Sequence, residues 1–411
     1  MNADVMKDDA KKDNAMKNIV ILATGGTIAG AGEQGKNIGY KSGSIEAQTL
    51  IDAVPELKDV ANIHVEQVCN INSDDITSEI WISLLRRIKE LAVDGFGESK
   101  ERVDGFVIMH GTDTMEETAF FLSLTLGAVE NVDDKTVATP VVLTGSMRPA
   151  TAAEPDGPAN LLYAVKSAVE LSSRSVILSK VEGSQSDSRH ACFDMSSRYV
   201  VPASEPEPSR DWLFMPVYVA FAGKLMDART VQKVHANDLD AFAEVKLAHE
   251  TLASARVTKE KDDHDSSHAH NHSVVLSKVE GSRDRLFVPS FNVSSLHSLP
   301  KVTVLYFNAD ADAELVRFAA ERSAGLVIAG AGAGEFSQAW AVEIAKIVAE
   351  TKVPVVVSTR INRGSIVPEQ LLVKGTIAAY ALPPAKAAVL LRFALTVTKN
   401  PTEIQNVFQI L

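Results

Sequence analysis

A chain of 411 residues, 45% hydrophobic and 23% charged, is long enough for two ordinary domains with substantial cores. Its formal net charge of -12 excludes a basic groove built to neutralise phosphates, so nucleic acid is not an expected partner. Two cysteines exclude a disulfide scaffold. Cys69 reads as a small core residue and Cys192 as an inert surface thiol, with a single bond between them left open. No apolar run reaches the ~18 residues of a membrane span, so no membrane partner is expected. The opening MNADVMKDDAKKDNAMKN lacks the apolar core of a secretory signal. A cytoplasmic protein is expected, or a periplasmic one if a leader has been removed.

Ile19 to Ala23 is a short apolar run stopped by Gly25 and Gly26, the pattern of a buried strand. Asn62 to Asn70 is a second strand. Thr77 to Ala92 has helical spacing, with Ile80, Leu84, Leu85, Ile88 and Leu91 on one face and Ser73 or Thr77 as the cap. Gly105 to Met109 is a third strand, Glu116 to Leu126 a helix, Pro140 to Thr144 a fourth strand and Asn160 to Leu171 a helix. Strand, loop and helix in alternation predict an α/β fold with a parallel sheet, whose ligands bind at the carboxyl ends of the strands.

The alternation stops from Ser175 to Pro216, resumes as a strand at Val217 to Phe221, and stops again at the polar KEKDDHDSSHAHNH of 259–272. Strands at Val302 to Phe307, Gly325 to Ile328 and Val353 to Ser358, with helices at Asp312 to Arg322, Ala339 to Glu350 and Pro384 to Thr396, form a second αβ unit. The expected division is an N-terminal domain over 17–252 with an insertion at about 175–214, a linker with the His-rich insertion over 253–299, and a smaller C-terminal domain over 300–411. One repeat stands out. SVILSKVEGS at Ser175 to Ser184 recurs as SVVLSKVEGS at Ser273 to Ser282, changed only at Ile177 against Val275. It is too isolated for a solenoid and reads as a sequence element inserted twice into surface loops, or as a paired hairpin.

Three loops rich in Gly and Thr each follow a buried strand: ATGGTIAG (Ala23 to Gly30), HGTDT (His110 to Thr114) and TGSMRP (Thr144 to Pro149). A parallel sheet sends all three to one edge. There they gather Thr27, Thr112 and Asp113 beside flexible backbone. A hydroxyl nucleophile needs a group to take its proton and donors for the oxyanion. No Ser-His-Asp set is evident, although His110 is adjacent, and a lysine or tyrosine can replace histidine as proton acceptor. Asp113 also reads as a helix N-cap before Met115-Glu116-Glu117.

At these loops the chain resembles the bacterial type II L-asparaginases. ILATGGTIAG matches the first signature of that family and GFVIMHGTDTMEETAFFL the second. GSMRPATAAEPDGPANLLYAV, SLPKVTVLYFN and AKAAVLLRFALTVTKNPTEIQNVF carry the likeness on towards the C-terminus, outside the two irregular insertions. The resemblance implies two αβ domains, the N-terminal one larger and flavodoxin-like, each a mainly parallel sheet with flanking helices. It implies hydrolysis of L-asparagine through an acyl-enzyme, with glutaminase side activity, no cofactor and no metal, in a homotetramer. Residue by residue, it makes Thr27 the nucleophile, Tyr40 its partner from the loop GEQGKNIGYKSG, and Thr112, Asp113 and Lys233 a second triad. Ser73 and Asp113 would hold the substrate's carboxylate and ammonium, with Gly26 and Asp74 beside them.

The likeness has gaps. In ARTVQKVHAND, Lys233 is kept while Thr230 and Gln232 replace the usual Asp and Thr. The segment from Gly364 to Leu372 is shorter than in the family, leaving Glu369 as the candidate for a glutamate usually given to the neighbouring subunit. Asp310 stands where the family has an asparagine. These departures motivate an alternative, a non-catalytic binder of small acidic amino acids. His264, His268, His270 and His272 lack the spacing of a structural zinc site.

Overall fold

The computed structural model describes residues 16–36, 38–126, 129–131, 139–173, 211–213, 216–245 and 291–410. Both copies of the LSKVEGS repeat, the His-rich segment and Cys192 lie outside them.

The first unit runs β1 (Asn18–Gly25), α1 (Ala47–Asp52), β2 (Asn62–Ile71), α2 (Ser78–Asp94), β3 (Gly105–Met109), α3 (Met115–Thr125), β4 (Val129–Asn131), β5 (Val141–Thr144), α4 (Gly157–Ser172), β6 (Asp211–Leu213), β7 (Val217–Phe221), β8 (Lys224–Asp227), β9 (Val231–Lys233) and β10 (Phe242–Glu244). Its main sheet has the order β2-β1-β3-β5-β7-β8. The first five strands are parallel, in the 2-1-3-4-5 order of flavodoxin-like sheets. β3 and β5 are buried at every residue, because helices cover both faces; this is why their sequences are continuous apolar runs without alternation. β8 returns antiparallel through Ala222 and Gly223, both at positive φ (48° and 74°), the mirror-image turn that suits a two-residue hairpin.

The second unit runs β11 (Val302–Tyr306), α5 (Glu314–Ala320), β12 (Gly325–Gly330), α6 (Gln338–Glu350), β13 (Val355–Thr359), β14 (Ile377–Ala378), α7 (Pro384–Ala394) and α8 (Pro401–Ile410). Its four strands pair in chain order and all parallel. The expected strands and long helices form within a few residues of their predicted bounds. The sequence pattern does not predict α1, α8, β4, β6, β8, β14 or the small antiparallel pair β9–β10, all short or placed by long-range contacts.

One core spans both units. Trp81 of α2 stacks on Phe121 of α3 at 5.2 Å, Phe121 on Phe393 of α7 at 5.4 Å, and Phe393 on Phe291 at 4.9 Å. Helix α7 is therefore apolar nearly all round, as a helix buried between layers must be. The α2 cap is Thr77, whose hydroxyl accepts from the Ile80 N–H at 3.5 Å. Ser73 does not cap; it sits in a separate turn at Ser73–Asp75. The helix also turns Trp81 and Ile82 into the core and leaves Ile80 half-buried. No helix of the described residues is long and apolar enough to cross a membrane.

Candidate active site

β1, β3 and β5 end side by side, so their three following loops meet. The contact is close enough to require glycine. A Cβ on Gly26 would stand 2.4 Å from the backbone of Gly111, and one on Gly111 would stand 2.7 Å from the Ser73 hydroxyl oxygen. Gly26 also holds φ at 81°, in the region that favours glycine. Gly26→Ala is expected to cost about 2–3 kcal/mol of stability in denaturant unfolding, from strain and overpacking together. An unchanged unfolding midpoint would show that the loops do not meet this tightly.

Thr27 opens a short turn at Thr27–Ala29 and is buried. Its hydroxyl lies 2.9 Å from that of Tyr40. Tyr40 is delivered by a loop folded back on the turn. Ala31 and Lys41 exchange backbone hydrogen bonds, Gly43 N–H donates to the Gly26 carbonyl, and Ser44 N–H to that of Ala29. The far end of the loop is tied to the third loop region, where Gly32 N–H donates to the Thr151 hydroxyl and Gly35 N–H to its carbonyl.

A second set stands on the β3 loop. The Lys233 amine donates to the Thr112 hydroxyl at 3.0 Å and to the Asp113 carboxylate at 2.5 Å. Lys233 is largely enclosed, with 14% of its side chain exposed against 55% for Asp113. The altered neighbours leave it in place. Gln232 is buried, and the Thr230 hydroxyl turns back to the Asp227 carbonyl. Asp113 is not the N-cap of α3; Thr114 holds that position without a side-chain cap bond and instead donates to the Ser73 carbonyl at 2.8 Å.

Ser73 is 3% exposed, and its hydroxyl has no hydrogen-bond partner in the structure. A buried hydroxyl left unpaired is uncommon in a folded protein. Asp74 is exposed, and its carboxylate accepts from the Asn72 amide at 2.8 Å. Asp310 is exposed at positive φ (62°) after β11, and Glu369 is exposed in the turn Pro368–Gln370.

His110, the adjacent histidine, is no proton acceptor for these hydroxyls. It is fully buried, its Nδ1 is 2.7 Å from the Gly111 carbonyl and its Nε2 is 2.9 Å from the Thr118 hydroxyl, which accepts from the Trp81 indole at 2.8 Å. Burial pushes its imidazole down to about 4, against the opposing effect of the Gly111 carbonyl. The neutral ring therefore serves as a strut holding the HGTDT turn on α3. No group of three or more His, Cys, Asp or Glu residues among the described ones is arranged to hold a metal ion.

Residues 18–179 match the Asparaginase, N-terminal family, and residues 301–408 match the Glutaminase/Asparaginase C-terminal domain. The chain belongs to the asparaginase/glutaminase family. It is 35% identical to a probable periplasmic L-asparaginase of Haemophilus influenzae, covering 96% of this chain and 93% of that one. It is 32% identical to a glutaminase-asparaginase of Acinetobacter glutaminasificans, covering 95% and 98%. Among solved structures it resembles a probable cytoplasmic L-asparaginase from Campylobacter jejuni, with a TM-score of 0.68 and 32% identity over 96% of this chain and 100% of that one.

Proposed function

We propose that this family member hydrolyses L-asparagine to L-aspartate and ammonia, with glutaminase side activity, through an acyl-enzyme on Thr27. The observation that carries this reading is the pair of hydroxyls, Thr27 and Tyr40, 2.9 Å apart at the junction of three glycine loops. Thr27 attacks the side-chain amide carbon as its proton passes to the Tyr40 oxygen and the phenolic proton of Tyr40 passes to the amide nitrogen. Ammonia leaves with that proton, and water then cleaves the ester, with Thr112, Lys233 and Asp113 as the second relay for proton movement. The free Ser73 hydroxyl donates to the substrate's α-carboxylate. The exposed Asp113 carboxylate takes its α-ammonium, with Gly26 and Asp74 completing the rim.

Ammonia release from asparagine and from glutamine tests this. One methylene in a pocket is worth about 1–3 kcal/mol, so kcat/KM should favour asparagine by about 10–200-fold. Release from neither amide would sink the reading.

A homotetramer is the assembly we propose with it. Support comes from large apolar side chains left exposed on the second unit, Leu315 (49%) and Phe318 (57%) one turn apart on α5 and Val342 (46%) on α6, the kind of surface a partner subunit covers. Light scattering should read the mass of four chains; a monomer mass at micromolar concentration would overturn it.

A further inference from the structure

Lys386 lies near the start of α7, fully buried in the stretch PAKAAVLLRFA, whose other residues apart from Arg392 are apolar packing material. Its amine donates to three backbone carbonyls of the first unit: Ala228 at 3.1 Å, Arg229 at 3.1 Å and Val231 at 2.6 Å. An ammonium has three N–H donors, and here each meets one carbonyl. Those carbonyls belong to the segment that turns out of β8 and enters β9, the strand that ends at Lys233. On the other side, the Lys233 backbone N–H donates to the Glu116 carboxylate in the first turn of α3. The Lys233 side chain reaches Thr112 and Asp113, a few residues earlier on the same segment. Backbone and side chain of Lys233 thus close a ring on residues 112–116, with Lys386 fixing the strand from behind.

We infer that Lys386 and Glu116 are positioning residues that set where the Lys233 amine stands relative to Thr112 and Asp113. Neither touches the reacting atoms. This rests on the reading of Lys233 as part of the catalytic relay.

The charge balance around the ring supports a positional role. Burial pushes Lys386 down from an ordinary value of 10.5 to about 8, against Glu116, Asp227 and Glu117, which pull it up. Burial likewise pushes the Glu116 carboxyl up, against Lys386 and Lys233. Glu117 is pushed to about 7 by burial and by Glu116, opposed by Arg392 and Lys386. Tyr306, from β11, faces both glutamates and is itself raised by burial and by their charge. With its folded value below the unfolded one, Lys386 favours folding most above pH 10.5, and that contribution is lost as pH falls through 8. At neutral pH Lys386 is therefore still an ammonium, held by the three carbonyls it meets. What that ammonium gains is the fixed course of the chain leading to Lys233.

The test compares Glu116→Ala, Glu116→Gln, Lys386→Met, Lys233→Ala and the double variant Glu116→Ala with Lys233→Ala in the full chain. Steady-state ammonia release and thermal unfolding are the readouts. Glu116→Ala and Lys386→Met should lower kcat by about 10–100-fold, as small misplacements of a catalytic group do, with KM within about threefold. Glu116→Gln keeps an acceptor for the Lys233 N–H and should restore kcat to within about threefold of wild type. The double variant should be no slower than Lys233→Ala alone, because the two residues act through one group. If Lys386→Met does not fold, the glutamate pair decides, since it leaves the three carbonyl bonds intact. Wild-type kcat in Glu116→Ala beside a slow Lys233→Ala, a glutamine variant as slow as the alanine one, or an additive double variant would overturn the positioning role. A fast Lys233→Ala would instead remove the relay reading underneath it.

Discussion

Thr27→Ala is expected to lower kcat/KM for asparagine by about 10⁴-fold or more, equivalent to about 5.4 kcal/mol of transition-state stabilisation, while leaving the fold and aspartate binding intact. In the proposed mechanism the hydroxyl is the one feature of Thr27 that the reaction requires. The residue lies at the start of a turn whose backbone bonds, Ala29 N–H to Gly26 and Gly30 N–H to Thr27, do not use the side chain. Truncating it removes a hydrogen bond to Tyr40 that is only part-buried, which costs about 1 kcal/mol of stability. The unpaired Ser73 hydroxyl and the Asp113 carboxylate remain, so aspartate should bind to within about tenfold by titration calorimetry. Thr27→Ser keeps the nucleophile but loses the methyl that helps fix its rotamer, and should retain about a tenth of the rate or more. Thr27→Ala with a tenth of wild-type activity would place the nucleophile elsewhere.

How far this site could be read from the amino acids follows from how its parts are held. Thr27, Thr112 and Asp113 belong to short loops directly after buried strands. A parallel sheet sends such loops to one edge, so their meeting was legible once the strands were. Tyr40 was not legible from periodicity. It reaches Thr27 through a loop fastened by the Ala31 and Lys41 backbone pair and by contacts to Thr151, which no local spacing encodes, and only the family likeness named it. Lys233 is similar, 120 residues from Asp113 along the chain and carried on a strand too short to predict. His110 lies in the same loop, and the absence of a Ser-His-Asp set there agrees with its fully buried ring, which is occupied on both nitrogens. Lys386 and Glu116 were missed altogether. The available signal was a lysine among the apolar residues at the start of a helix that is apolar apart from Arg392 in its last turn, where a snorkelling lysine has no water to reach.

The same contrast separates Lys233 from an ordinary surface ion pair. Lys233→Ala should lower kcat by about 10³-fold, within the range for removing one proton-transfer group, while the unfolding midpoint barely moves. The stability side follows from exposure. Asp113 is 55% exposed, so the pair is screened by water and contributes about 0–1 kcal/mol. The backbone bond from Lys233 to Glu116 does not depend on the side chain and survives the substitution. The activity side follows from Thr112, which is 4% exposed and has the Lys233 amine 3.0 Å from its hydroxyl. Without that amine, Thr112 has no equally placed group with which to exchange its proton. Lys233→Arg separates proton transfer from charge. A guanidinium keeps the positive charge and the ion pair with Asp113 but cannot give up its proton in a protein. It should therefore stay within about tenfold of the alanine variant. Ammonia release near the wild-type rate from the arginine enzyme would show that Lys233 acts through its charge alone, and would reduce the Thr112, Lys233 and Asp113 set to an electrostatic support.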